Sequence, residues 1–424
     1  MSTTQEQIPV QAQTISSRAR WLALTAAFLG WMFDGLEMGI FPIVARPALQ
    51  ELLSSEADKL VGPWMSYITA GFLLGAAAGG LLFGWLGDKI GRVRAMAASI
   101  LAYSLFTGAC YFVTAPWHLL VFRALAALGM GGEWALGVAL VMECWPENKR
   151  PLMAGVIGAA ANVGYASIGL MTWIFPVRLD SWRWVMLAGA VPALLALFVV
   201  AMVPESQRWK ESVKKAGPTH THPLKEVFGP ALWKTTVLAI CFSSVALIGT
   251  WGSVQWLPLW ADQMVGKQMP EVKGITMFLM SVGAILGCFV GPMVGALMGR
   301  RIAYFTLCTA SLVSCALLYR TVTGYGPAFM IGAFFVGGAT AAFYGWLPLY
   351  LPELFPTRAR ATGQGVSYNA GRLLAAAGAL TQGQLVAHYS GSYAKASAVV
   401  TLVYLVGMVL IWFAKETKGK PLPE

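Results

Sequence analysis

Twelve apolar stretches, each long enough to cross a bilayer, follow one another along this chain almost without pause, and they limit its fold more than anything else in it. They cover residues 21–45, 64–87, 95–115, 118–144, 151–175, 184–203, 234–261, 274–298, 303–321, 327–352, 361–387 and 394–414. A helix needs about 20 apolar residues to span the hydrocarbon core. Each stretch is rich in Gly, Ala and Leu, which lets helices in lipid approach closely, and none alternates polar with apolar as a barrel strand does. Only 12% of the 424 residues are charged, and mean hydropathy is +0.63. A soluble chain carries about twice that share of charge. Soluble, disordered, collagenous and disulfide-stapled classes are excluded, leaving an all-α membrane protein with twelve transmembrane helices.

The net charge of +11 would suggest nucleic-acid binding in a soluble domain. Here the bases sit in short loops with no basic helix face, so no nucleic-acid partner is expected. Arg18, Arg20, Lys89, Arg92, Arg94, Lys149, Arg150, six bases between 208 and 234, Arg300, Arg301, Arg358, Arg360, Lys415, Lys418 and Lys420 fall on one side. The other side has Arg46, Lys59, Arg178, Arg183, Lys267, Lys273, Arg320 and Lys395. The positive-inside bias then puts both termini in the cytoplasm of a multi-pass inner (plasma) membrane protein. The polar opening MSTTQEQIPVQAQTISSRAR lacks the apolar core of a cleavable signal. Cys110, Cys144, Cys241, Cys288, Cys308 and Cys315 lie in or at the ends of spans and read as packing residues. His220 and His222, without further ligands, read as part of a solvated linker. Neither metal nor cofactor is expected.

The two halves repeat. Glu143-x-x-Pro146-x-x-x-Arg150 ends span 4 and Glu353-x-x-Pro356-x-x-x-Arg360 ends span 10, an offset of 210. Glu205 after span 6 and Glu416 after span 12 are offset by 211, as are Gly84, opening Gly84-x-x-x-Asp88-Lys89-x-Gly91-Arg92, and Gly295, opening Gly295-x-x-x-Gly299-Arg300-Arg301. The expected organisation is a tail (1–20), a six-helix bundle (21–203), a linker (204–233), a second six-helix bundle (234–414) and a tail (415–424). Two parallel halves around a midplane cavity are a transporter architecture.

The loop GWLGDKIGRVR after span 2, with Lys89 where Arg is usual, resembles the signature of the major facilitator superfamily. RALAALGMGGE in span 4, PES after span 6 and ETKGK after span 12 fit the same resemblance, which covers the whole chain. Asp34-Gly35-Leu36-Glu37, Gly131-Gly132-Glu133-Trp134 and Tyr368-Asn369-Ala370-Gly371-Arg372 look most like the proton-coupled organic-acid symporters, especially the sialate/lactate and aromatic-acid groups. PES and ETKGK are also similar to sugar porters and organic-ion transporters. The resemblance implies a pseudo-symmetric major facilitator fold working by alternating access.

An ionisable group in the bilayer interior costs at least ~2.5–3.5 kcal/mol and marks a functional position. There are five: Asp34, Glu37, Arg123, Glu133 and Arg372. Asp34 and Glu37, three apart, share a helix face. Spans 1 and 4 line the cavity in the superfamily, so the resemblance suggests an Asp34–Arg123 pair, serving either proton coupling or structure alone. Glu133 is a second proton site, a sharer of a proton with Glu37, or a carboxyl held by polar neighbours. Arg372 has no acid at its depth in its own half, so its guanidinium fork either takes a substrate carboxylate or is satisfied by span-end carbonyls or Glu353.

Around Arg372, the residues Tyr368, Asn369, Gln255, Trp251 and Tyr344, with Asn162 and Tyr165 from span 5, supply the aromatic and amide groups of a small-ligand pocket. Trp256, Trp346 and Gln382 belong to the same set, and Trp260 and Trp412 read as interfacial anchors. Asp88, Arg92, Arg150, Glu205, Arg300 and Arg360 are gating candidates at helix ends, or serve topology alone. The expected activity is proton-coupled symport of a small organic anion, a monocarboxylate or aromatic acid, by a monomer. A neutral sugar, a polyol or another organic ion is the alternative. A receptor has no appended signalling domain to support it. An ATP-driven pump lacks a GxxxxGK[ST] loop, and no nucleophile–base motif suggests an enzyme.

Overall fold

The computed structural model describes residues 17–53, 57–90, 92–134, 137–138, 141, 145, 149–202, 223–356, 359–420 and 423. Its helices are α1 (Ser17–Leu53), α2 (Ala57–Ile90), α3 (Arg92–Ala109), α4 (Pro116–Met130), α5 (Arg150–Ile174), α6 (Trp182–Ala188), α7 (Ala193–Met202), α8 (Pro223–Val227), α9 (Trp233–Gly252), α10 (Leu257–Val265), α11 (Val272–Met298), α12 (Arg300–Thr321), α13 (Pro327–Leu354), α14 (Arg360–His388), α15 (Tyr393–Val400) and α16 (Val403–Leu410). Among the described residues nine helical stretches are long and apolar enough to cross a membrane, and Pro116–Met130 and Trp182–Leu197 are shorter apolar helices. The twelfth crossing is α14, whose Gln364, Ser367, Asn369, Arg372, Gln382 and Gln384 make it too polar for that group. The fold is the expected one, two pseudo-symmetric six-helix bundles.

Three spans are interrupted where the sequence suggests continuity. The seventh breaks at Ser253 into a 3-10 turn (Val254–Trp256) before α10, with Pro258 in the new first turn. The sixth turns between α6 and α7 over Gly189–Pro192, and the twelfth at Thr401–Leu402. In contrast, α1 runs on to Leu53 through Pro42 and Pro47.

Small residues set the helix spacing. A Cβ on Gly35 would lie 1.9 Å from the Ala161 carbonyl oxygen, and one on Gly164 the same distance from that of Met32, so α1 and α5 touch backbone to backbone. Gly75 and Gly79 seat α2 on α4, and Gly283, Gly287 and Gly291 seat α11 on α13 in the corresponding place of the second half. Between the halves, α5 packs on α11 and α2 on α14, again a symmetric pair. Leu105, Phe112, Leu197, Leu297, Phe335 and Phe413 stand exposed on the outside, the surface a bilayer would cover. Five cysteines among the described residues are free thiols, and Cys144 lies outside them.

Candidate functional site

Arg123 enters α4 near the end where α1 finishes, and it meets the acid at its own depth. That acid is Glu37: Arg123 Nη1 donates to Glu37 Oε1 in a pair with almost no solvent contact. Thr107 of α3 donates to the same oxygen at 2.8 Å, and the guanidinium carbon lies 4.8 Å from the Phe72 ring centroid. The expected Asp34–Arg123 pair is therefore corrected. Asp34 lies about one turn further from the Arg123 end, and neither of its oxygens takes a hydrogen bond from Arg123.

Asp34 instead faces Glu133, which corrects the alternative that Glu133 shares a proton with Glu37. The two buried carboxyls lie against each other, with Arg372 within electrostatic range of Asp34. Neither Asp34 oxygen makes a hydrogen bond of ordinary geometry to a described residue. Glu133 reaches over Gly30, where a Cβ would lie 3.1 Å from Oε2, and its Oε1 accepts from Ser99 at 3.2 Å. A glycine one turn before Asp34 thus admits the second carboxyl.

Arg372, on α14, crosses to the other half. Its Nη1 donates to the carbonyls of Ala76 on α2 (3.3 Å) and Gly131 after α4 (3.4 Å) and to Asn369 Oδ1 (3.1 Å). Its guanidinium carbon lies 5.0 Å from the Tyr368 ring centroid, and the far face of that stack is Trp134, whose ring is 4.2 Å from Tyr368 at an interplanar angle of 15°. All three contacts are made by Nη1, at 3.1–3.4 Å. Glu353 is not its partner: that carboxylate takes Arg300.

Beneath Arg372 a cavity opens between the halves, lined mostly by aromatic and apolar side chains with a few polar groups, as small-ligand sites are. Arg372, Tyr368, Gln255, Trp251, Tyr344, Asn162 and Tyr165 all line it. Asn369 stands behind, orienting Arg372 and resting on Gly80. Contacts across the roof join the halves: Gln255 Nε2 donates to the Tyr165 hydroxyl at 2.8 Å, and the Trp251 and Phe72 rings are 5.6 Å apart. Trp256, Trp346 and Gln382 belong to packing instead, the last beside Ser397. Trp260 is buried against Tyr319 and Phe329, whereas Trp412 is exposed.

Sequence reasoning missed Trp31, Phe72, Trp134, Thr250 and Thr340, all in the lining. A signal existed for two: Trp31 precedes Asp34 by three residues and shares its face, and Trp134 adjoins Glu133.

A family model described as Major Facilitator Superfamily matches residues 21–379. The chain belongs to the Major Facilitator Superfamily. A Haemophilus influenzae protein named for metabolite transport is 30% identical over 95% of this chain and 98% of its own. The cis,cis-muconate transport protein of Acinetobacter baylyi is 27% identical (97% and 98% covered), and the sialic acid transporter NanX of Escherichia coli 28% (92% of each). The xylose transporter XylE from E. coli, solved in a partially occluded inward-open conformation, superimposes with a TM-score of 0.73 at 16% identity, covering 96% of this chain and 100% of that one. That likeness speaks to the fold. The chain is thus a multi-pass membrane transporter whose relatives carry small organic molecules.

At the far ends of the helices this superfamily member is held by charge. Arg300 donates to Glu353 from Nε and Nη2 at 2.9 and 2.6 Å, and Thr417 donates to the same carboxylate at 2.6 Å. Glu416 accepts the backbone N–H groups of Arg300 and Arg301 at the start of α12. Although partial burial opposes it, the N–H donors of Arg300, Lys418, Arg301 and Thr417 hold the Glu416 carboxyl below the usual range. At the opposite end Asp262 of α10 takes Arg46 of α1 at 3.3 Å and Lys273 of α11 at 3.4 Å, tying the halves together. The side chains of Asp88, Arg92, Arg150 and Arg360, with Glu143, Glu205, His220 and His222, lie outside the described residues.

Proposed function

We propose that this transporter moves a small organic anion, a monocarboxylate or aromatic acid, together with protons by alternating access, as a monomer in the inner (plasma) membrane with both termini cytoplasmic. The observation that carries the reading is Arg372. It is a guanidinium on the cavity wall, held by long carbonyl contacts and stacked on an aromatic face. A carboxylate meets such a fork bidentately and neutralises a charge that is costly to leave bare in a low-dielectric site. The aromatic lining suits a planar or cyclic body, and the relatives named for muconate, niacin and sialic acid fit that chemistry.

Asp34 and Glu133 are the proton-carrying groups in this reading, because two adjacent buried carboxyls cannot both ionise cheaply. Glu37 and Arg123, bonded to each other, hold the bundle. The likeness to a xylose transporter keeps a neutral sugar or polyol as the second reading. In that case Asn162, Gln255 and Thr250 would meet hydroxyl groups and Arg372 would only join the halves.

Thermal unfolding of the purified protein with a panel of carboxylates, their amides and sugars, at two pH values, separates these readings, since a ligand that binds the native state stabilises it by mass action. Carboxylates should raise the transition, more at the lower pH, and nicotinamide should not. Stabilisation by xylose with no response to any carboxylate would reject the anion reading.

A further inference from the structure

Two buried polar atoms in the cavity wall take no hydrogen bond from the described residues. Gln255 stands in the 3-10 turn Val254–Trp256 and is 3% exposed. Its Nε2 donates to the Tyr165 hydroxyl at 2.8 Å, and its Oε1 has no partner. Ser281 on α11 is 1% exposed, and its Oγ is likewise unpaired. It does not bond the carbonyl one turn back, as Thr172, Thr250 and Thr340 do. Both residues line the cavity.

The two atoms belong to one level of the bundle. Along the contact of α5 with α11, a Cβ on Gly169 would lie 2.6 Å from the Phe278 nitrogen, and the Gly158 carbonyl accepts from Cys288 Sγ at 3.2 Å. The helices therefore run antiparallel, and Ser281 falls opposite Ala166, beside the Tyr165 that holds Gln255. Arg372 lies deeper. In the parallel pair α9 and α14, Gly371 sits against Ser243 and Leu247, and Gly252 against the Gly378 carbonyl. Gln255 is thus about nine residues, roughly 14 Å, further along than Arg372. Trp251 and Tyr344, the latter bonded to Thr250 at 2.9 Å, come between these levels. The cavity has a cationic end, an aromatic middle and an uncharged hydrogen-bonding end.

We propose that Gln255 and Ser281 form a hydroxyl-binding subsite, and that the transported anion is a hydroxy acid whose hydroxyl lies at the end remote from its carboxylate. The proposal rests on the anion reading above and adds what the other end of the cavity selects. A hydroxyl fits because it donates to Gln255 Oε1 and accepts from the Ser281 O–H. An apolar end would leave both atoms unpaired, and a second carboxylate would face an amide oxygen with no cation beside it. A site built to bond a hydroxyl rejects the analogue that lacks it. Tyr165 is a positioning residue: by accepting from Nε2 it turns Oε1 away from itself.

The test is calorimetric titration of the purified full-length protein with trans-4-hydroxycyclohexanecarboxylate, its 2-hydroxy isomer, unsubstituted cyclohexanecarboxylate and the amide of the 4-hydroxy acid. The 4-hydroxy acid should bind about three- to tenfold tighter than the unsubstituted one, and the 2-hydroxy isomer should gain nothing. Gln255→Met should erase the preference. Ser281→Ala should reduce it, and decides alone if the methionine variant does not fold. Equal binding of the 4-hydroxy and unsubstituted acids by wild type would overturn the proposal, as would a preference unchanged in both variants. The amide separates the two claims. A hydroxyl preference in a protein that binds the amide as tightly as the acid rejects the anion reading and leaves the subsite standing. Acids that outbind the amide without any hydroxyl preference reject the subsite alone, and binding of none of the four rejects both.

Discussion

Glu37 and Arg123 have almost no contact with solvent, so replacing either leaves a buried charge without its partner. Glu37→Gln or Arg123→Met should each destabilise by about 3–5 kcal/mol, and the double variant by less than their sum, measured from unfolding in detergent. Arg372→Lys should keep the charge but lose the fork, weakening a carboxylate ligand roughly tenfold, the loss of about 1.4 kcal/mol; equal affinity by calorimetry would contradict bidentate binding. These five buried charged residues were legible in the sequence because a charge inside an apolar window stands out. Their pairing was not. Whether Arg123 meets Asp34 or Glu37 depends on its depth and on helix rotation, and three residues of uncertainty in a span boundary exchange the partners. Likewise Trp346 and Tyr344, two residues apart, take opposite roles, one in an aromatic cluster and one on the cavity wall.

Helix crossings depend on glycines whose missing side chain is structural. Gly35→Ala should force α1 and α5 apart and cost about 1–3 kcal/mol or more, because its Cβ would meet a backbone carbonyl that has no rotamer to escape into. Gly365→Ala on α14, with nothing within 4 Å, should be neutral or stabilising by up to about 1 kcal/mol. Comparing the two unfolding midpoints checks the claim. The start of α12 makes a pH prediction. Gly299 has φ of 95° and leaves room for the Glu416 carboxylate, which accepts from the first N–H groups of the helix. A carboxylate held below its ordinary value adds stability above that value, and the gain is lost as pH falls through the lowered one. Glu416→Gln should therefore cost about 0.5–2 kcal/mol at neutral pH, with the gap from wild type closing in acid. The repeat of charged motifs announced the two bundles. The break at Ser253 was masked by the equal apolarity of its two sides, although Gly252 and Pro258 flank it, and the turn it makes puts Val254 and Gln255 in the cavity lining.

At the scale of the whole molecule, the Arg46–Asp262–Lys273 link joins the two halves at one end. Asp262→Asn should loosen it. A cysteine placed at the lining residue Ser281 would then react severalfold faster with a membrane-impermeant thiol reagent added on that side; an unchanged rate would show that the link holds nothing shut. The central claim is that an acid pair and a cavity guanidinium together make this an anion carrier driven by protons. Uptake of radiolabelled nicotinate into proteoliposomes under an imposed pH gradient, against protein-free liposomes, tests it most directly. The account predicts accumulation above equilibrium that collapses with a protonophore, is abolished in Asp34→Asn, and is outcompeted by other carboxylates but not by nicotinamide. Uptake that ignores the gradient, or that survives Asp34→Asn undiminished, would contradict it.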